Sequence, residues 1–313
     1  MPLGLAQPLP AVLTLTLVPS QREGEESKPG VRGRDALVIP GWEFAAILGA
    51  GLVIGVLGAM LGIGGGTLMV PFLIMAFGFP ILEAIAASIV AVIATSSAAS
   101  AVYLGNRITN LRLGITLEVA TATGGMLGGL TAISLGQQLL TIVFAASLVA
   151  TAVALSRQQE EGPQLVRERE EGELGGHFYD PSLRQEVRYR VHRLPLGMGF
   201  SLLAGFLSGL LGIGGGVIKV PTMVLGMRVP MKAAAATSDF MIGVTAVASA
   251  YIYYSRGFVN APVTAAVAIG VFLGSLAGAR WAPYLRSAVL TRGLALVLAG
   301  VAVLMVLRVV GLY

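Results

Sequence analysis

Apolar residues fall along this chain in long blocks, separated by short polar or glycine-rich joints. Glu43 to Leu61 is continuously apolar and reaches the roughly 20 residues that one helical bilayer crossing requires. It ends in Gly62-Ile63-Gly64-Gly65-Gly66, which no ordinary helix interior would hold, because each glycine costs about 1 kcal/mol there relative to alanine. Thr67 to Phe77 is an apolar stretch of half that length, with Pro71 in its first turns, where proline is tolerated. A half-helix that re-enters the membrane is the expected form. Pro80 opens a long helix to about Leu104, Asn106 to Arg112 is a polar loop, and Leu113 to Ile133 and Leu139 to Leu155 are further spans. Residues 156 to 193 then carry mixed charges, among them Arg157, Glu160, Glu161, Arg167, Glu170, Arg184 and Arg190, and predict a solvated connector with at most a short helix.

The second half repeats this order: Leu196 to Leu211, a glycine run, a half-length stretch to Met227, Pro230 to Tyr254, Pro262 to Ala282, and Ala288 to Val310. Gly58 to Pro71 and Ser208 to Pro221 are nearly the same phrase, 150 positions apart. Pro80 matches Pro230, Ala86-Ala87-Ser88 matches Ala236-Thr237-Ser238, and Tyr103 matches Tyr253. Beyond the loop the pairing of Gly124 and Gly128 with Gly270 and Gly274 lowers the offset to 146, as if four residues had been lost. A duplication of about 110 residues accounts for the pattern. The expected fold is therefore an all-α polytopic membrane protein of two tandem repeats. Each has about four transmembrane helices, a glycine-rich break and a re-entrant half-helix. The expected divisions are an N-terminal tail (1–42), a first repeat (43–155), the charged linker (156–195) and a second repeat (196–313).

Composition agrees with a membrane protein. Of 313 residues, 55% are hydrophobic and 12% charged, and the mean hydropathy is +0.82. Ala11 to Val18 is too short to span and lacks a basic leader, so residues 1 to 35 are expected to be a tail. Most of the basic residues behind the net charge of +5 are arginines in loops and tails, which suits membrane orientation and not nucleic acid. With four crossings per half, the positive-inside rule places both ends in the cytoplasm, although Arg228, Lys232, Arg280 and Arg286 then fall outside. Without cysteine, and with His177 and His192 both in the polar middle, the spans offer no catalytic or metal-binding set and imply no cofactor.

Candidate chemistry gathers at the glycine runs. A glycine run that opens a helix presents unpaired N–H groups and the positive end of the helix dipole, both of which favour anions. No Gly-Lys-Ser/Thr continuation follows and no strand precedes, which argues against a nucleotide loop. Irregular backbone at membrane depth needs protein or a watery cavity around it, and paired broken helices point to a transport site. The substrate-binding candidates are Gly64, Gly65, Gly66, Thr67 and Ser88 in the first half, with Gly214, Gly215, Gly216, Lys219, Thr237 and Ser238 in the second. Lys219 supplies a cation for the anion, or snorkels to the interface. Asp239 carries a coupling proton or neutralises Lys219. Their first-half counterparts are Met69 and Ile89, so the charges are asymmetric. Glu118 is expected near a membrane boundary, among the headgroups. Stripes such as Gly51/Gly55, Gly205/Gly209 and Gly270/Gly274/Gly278 are expected to serve close helix packing.

The doubled Gly-Ile-Gly-Gly-Gly phrase with its Val-Pro ending, and the Ala-Ala-Ser or Ala-Thr-Ser downstream, resembles the TauE/SafE family of sulfite and organosulfonate exporters over residues 43 to 310. The resemblance implies a multi-pass protein of the bacterial inner membrane that exports sulfite, sulfoacetate or a similar sulfur oxyanion. By the same resemblance the functional positions are Gly62 to Pro71, Gly212 to Pro221 and the Ser88 and Thr237-Ser238 region. A secondary transporter of small anions, with or without a coupled proton, is the function expected; a passive anion channel or an importer of a related anion is the alternative.

Overall fold

A computed structural model describes residues 40–157, 174–180, 184–282 and 299–305. The expected N-terminal tail, apart from its last residues, and most of Ala288 to Val310 lie outside them. The fold is mostly helical. Helix α1 is Gly41–Leu61, α2 Gly66–Phe77, α3 Ile81–Gly105, α4 Leu111–Ser134 and α5 Gln137–Arg157. Strands β1 (Gly176–Asp180) and β2 (Gln185–Tyr189) follow, then α6 (Leu194–Leu211), α7 (Gly216–Pro221), α8 (Met231–Ser255) and α9 (Ala261–Trp281). Residues 299–305 are also helical. Six of these helices, α1, α3, α4, α6, α8 and α9, are long and apolar enough to cross a membrane, which makes the chain a polytopic membrane protein.

Local chemistry explains the boundaries. Pro80 and Pro230 sit just before α3 and α8 with φ near −56° in both, where a fixed φ and a missing N–H do no harm. Asn110 and Asn260 cap α4 and α9, accepting the amides of Leu113 at 3.1 Å and Val263 at 3.4 Å. Helix α2 has 12 residues, a length of about 18 Å against a hydrocarbon core of about 30 Å, so it is too short to cross unaided. Helix α7 is shorter still and runs into a π-helical turn at Thr222–Gly226, directly after Pro221, where Thr222 Oγ1 donates to the Ile218 carbonyl at 2.7 Å.

The two halves interlock. Helix α1 lies along α9, α4 lies along α6, and α3 packs on both α8 and α9. Small residues line the two long seams. A Cβ at Gly274 would strike the Leu52 carbonyl and one at Gly278 the Val56 carbonyl; a Cβ at Gly124 would strike Leu202 and one at Gly128 would strike Phe206. These contacts keep an offset of 150 in both partners. The structural counterparts of Gly124 and Gly128 are therefore Gly274 and Gly278, not Gly270 and Gly274, and the contacts give no sign of lost loop residues.

The charged segment between the halves contains a β-hairpin where the sequence suggested only a connector or a short helix. Antiparallel β1 and β2 pair from Gly176 with Tyr189 to Asp180 with Gln185. Phe178 and Tyr189 are buried in a cluster with Met223, Met227 and Tyr103. Burial raises the Tyr189 phenol above its ordinary value, against the opposing effect of Asn110, whose Nδ2 donates to it at 3.1 Å. Asp180 accepts from Lys232 Nζ at 2.7 Å, which fastens the hairpin to the start of α8.

Candidate anion-binding site

Both glycine runs end a long helix in the same way. Gly62 caps α1 at φ 67° and Gly212 caps α6 at φ 69°, the left-handed conformation that glycine adopts without strain. The two breaks then cross each other at the buried centre of the protein. A Cβ on Gly66 would collide with the Gly212 carbonyl oxygen, and a Cβ on Gly216 would collide with the Gly62 carbonyl oxygen. Only glycine permits this reciprocal approach.

Hydroxyls from the long helices hold the crossing together. Ser88 Oγ of α3 lies 3.0 Å from the Gly212 carbonyl and 2.8 Å from Ile85 of its own helix. Ser238 Oγ of α8 reaches the Gly62 carbonyl at 3.5 Å, so each half contributes a hydroxyl to the other half's break. Thr67 donates to the Ile213 carbonyl at 3.3 Å, and the Gly65 amide donates to Thr95 Oγ1 at 3.3 Å. Ser88, Thr67, Thr95 and Ser238 are all fully buried. One turn beyond, Tyr103 donates to the Ala59 carbonyl at 3.0 Å and Tyr253 to the Gly209 carbonyl at 2.9 Å, so each phenol ties a long helix to the end of the helix before its own break.

Not every sequence candidate sits at this crossing. Thr237 is turned away from it, accepting the Asn110 amide at 3.0 Å and so fixing the loop between α3 and α4. Lys219 does not snorkel: it is 2% exposed and donates to Thr245 Oγ1 at 3.4 Å. Thr245 in turn donates to Glu118 Oε1 at 2.7 Å. Glu118 is accordingly not among headgroups; it is 7% exposed, inside the bundle. Its position on the α4 face that packs toward α8 escaped the sequence because one acidic residue in an apolar helix carries no sign of which face is buried. Asp239 does not bond to Lys219. It is buried, its carboxylate oxygens accept no hydrogen bond among the described residues, and its backbone carbonyl receives the Ser96 hydroxyl.

The symmetry of the crossing is incomplete. Gly65 is right-handed at φ −69°, whereas its counterpart Gly215 is left-handed at φ 71°. Thr95 and Thr245 are also counterparts, yet one meets a backbone amide and the other a charged pair. Both threonines, like Tyr103 and Tyr253, recur at the same offset as the glycine phrases, and that recurrence is the sequence signal that marks them.

The family model "Sulfite exporter TauE/SafE" matches residues 47–305, a stretch that contains both breaks and, apart from the first turns of α1, the helices that meet there. The chain belongs to this family. Among its relatives is the "Probable membrane transporter protein YunE" of Bacillus subtilis, 25% identical over 243 residues that cover 75% of this chain and 87% of the relative. The "Probable membrane transporter protein MJ0441" of Methanocaldococcus jannaschii is likewise 25% identical over 243 residues, covering 73% of this chain and 82% of the relative. "Sulfite exporter TauE/SafE family protein 5" of Arabidopsis thaliana is 32% identical over 143 residues, which cover 45% of this chain and 28% of the plant protein. No solved structure matches. A TauE/SafE membrane transporter is not a class of enzyme.

Proposed function

We propose that this protein is a secondary transporter that exports sulfite or a small organosulfonate across the bacterial inner membrane, with the crossing of the two glycine breaks as its anion site. The observation that carries this reading is the reciprocal approach of Gly66 to the Gly212 carbonyl and of Gly216 to the Gly62 carbonyl. Two helix breaks in corresponding places, meeting at depth, are the arrangement in which a membrane protein handles an ion with its own backbone.

On this reading the halves are tandem repeats, and α2 and α7 with its π turn are re-entrant. The hydroxyls of Ser88, Ser238 and Thr67 now donate to carbonyls of the opposite break. When the breaks part, the same donors, with the amides of Gly64 to Gly66 and Gly214 to Gly216, replace water around the anion. Lys219 supplies the compensating charge. A buried carboxylate, Asp239 or Glu118, is available for a coupled proton. Both ends of the chain face the cytoplasm.

Flux of sulfite or sulfoacetate in proteoliposomes of the purified protein tests the reading. Saturable flux supports it; no binding and no flux of any sulfur oxyanion overturns it. Flux that never saturates would make the protein a channel.

A further inference from the structure

Glu118, Thr245 and Lys219 form a polar chain inside the bundle, contributed by three different elements. Thr245 of α8 accepts from the Lys219 ammonium at 3.4 Å and donates to Glu118 of α4 at 2.7 Å. All three are buried, and Oε2 of Glu118 accepts no hydrogen bond among the described residues. The carboxylate is thus half satisfied by one hydroxyl and depends for the rest on the charge of Lys219.

Among the described residues nothing else nearby takes that part. Helix α6, which lies along α4, has no titratable residue from Leu194 to Leu211. Helix α7 offers Lys219 itself, which reaches Glu118 through Thr245. On α8, Thr245 donates to Glu118, while Asp239 lies six residues earlier, on another face of the helix. Around the first break the counterparts of Lys219, Thr245 and Glu118, at the offset of 150, are Met69, Thr95 and Ala268 of α9. The first break is thus closed by apolar residues and a hydroxyl alone, so the fold does not require the charges. Replacing a buried ion pair by apolar residues is commonly neutral or stabilising, which argues that such a pair has work beyond stability.

Lys219 has charge for one anionic partner at a time. We infer that Glu118 is the residue that carries the coupled proton, because the anion and Glu118 compete for Lys219. With the site empty, Lys219 is balanced by ionised Glu118 through Thr245. When an anion takes Lys219, Glu118 is left in apolar surroundings without a counter-charge and binds a proton at its carboxylate. The ammonium keeps its protons and the carboxylate gains one, so the loaded site carries one negative charge fewer than the bound anion brings. Each anion that takes Lys219, monoanion or dianion, then moves together with one proton. The inference rests on Lys219 being the charge partner of the anion in the proposed function.

Calorimetric titration of the purified full-length protein with sulfoacetate near neutral pH, repeated in buffers of different ionisation enthalpy, counts the protons taken up per anion bound. Wild type and Asp239→Asn are expected to take up about one proton, and Glu118→Gln to bind with uptake near zero. Binding by wild type without proton uptake overturns the inference and leaves the anion site standing. Uptake that survives in Glu118→Gln, or vanishes in Asp239→Asn, overturns it by placing the proton elsewhere. Absence of any sulfur-oxyanion binding by wild type overturns both. Should Glu118→Gln not fold, infrared difference spectra of Asp239→Asn decide: a protonated carboxyl band on addition of sulfoacetate, itself ionised at that pH, supports the inference, and its absence overturns it.

Discussion

Thr245 Oγ1 donates to Glu118 Oε1 across 2.7 Å, while Thr95, 150 positions earlier in the sequence, accepts the amide of Gly65 at 3.3 Å. The same residue type thus closes one break and serves a charged pair beside the other. The second break also closes on a different backbone, left-handed at Gly215 where Gly65 is right-handed.

Thr245→Val keeps shape and removes the hydroxyl between two buried charged groups. Hydrogen bonds to charged groups contribute about 1.5–3 kcal/mol, so a loss of that size is expected, against about 1 kcal/mol for Thr95→Val. Thermal unfolding in detergent measures both; equal losses would show that Thr245 bridges nothing of consequence.

Ser88 and Ser238 offer a second comparison. Ser88→Ala strands the Gly212 carbonyl at the buried crossing and is expected to cost about 1–2 kcal/mol; Ser238→Ala, whose bond is longer, costs less. Both variants are expected to lower sulfite flux by about tenfold, because the lost donor is one that the proposed site turns toward the anion. Flux rates corrected for folded protein check this. Lower stability with unchanged flux in both variants would make these hydroxyls packing devices only.

Much of this fold was legible in the sequence because membrane helices declare themselves by unbroken apolar runs, and their ends by proline and glycine. The run from Glu43 to Leu61 became Gly41–Leu61, and the stretch opened by Pro230 became Met231–Ser255. Three features were not legible. The crossing of the two breaks depends on interlocked packing of α1 with α9 and of α4 with α6, which no single segment encodes. The burial of Glu118 depends on which face of α4 meets α8. The hairpin was hidden because its charges suggested solvent, although the alternation of buried Phe178 and Asp180 on β1 is a strand's pattern.

The hairpin supplies a prediction of its own. Asp180 is buried against Lys232, so Asp180→Ala is expected to loosen β1 and β2 from the start of α8 at a cost of about 1–2 kcal/mol. Limited proteolysis between Gly176 and Tyr189, followed by mass spectrometry, is expected to speed up severalfold. Cleavage at the wild-type rate would show that the hairpin is held by Phe178 and Tyr189 alone.

Saturable sulfite or sulfoacetate flux in proteoliposomes, compared across wild type, Gly66→Ala, Gly216→Ala and Gly199→Ala, bears most directly on the crossing as the transport site. Added methyl groups at Gly66 and Gly216 meet the carbonyls of Gly212 and Gly62, while one at Gly199 meets open space. Saturable wild-type flux, a loss of about tenfold or more in each of the first two variants despite normal insertion, and full flux in Gly199→Ala are expected. Wild-type flux retained in both Gly66→Ala and Gly216→Ala would contradict a transport site at the crossing.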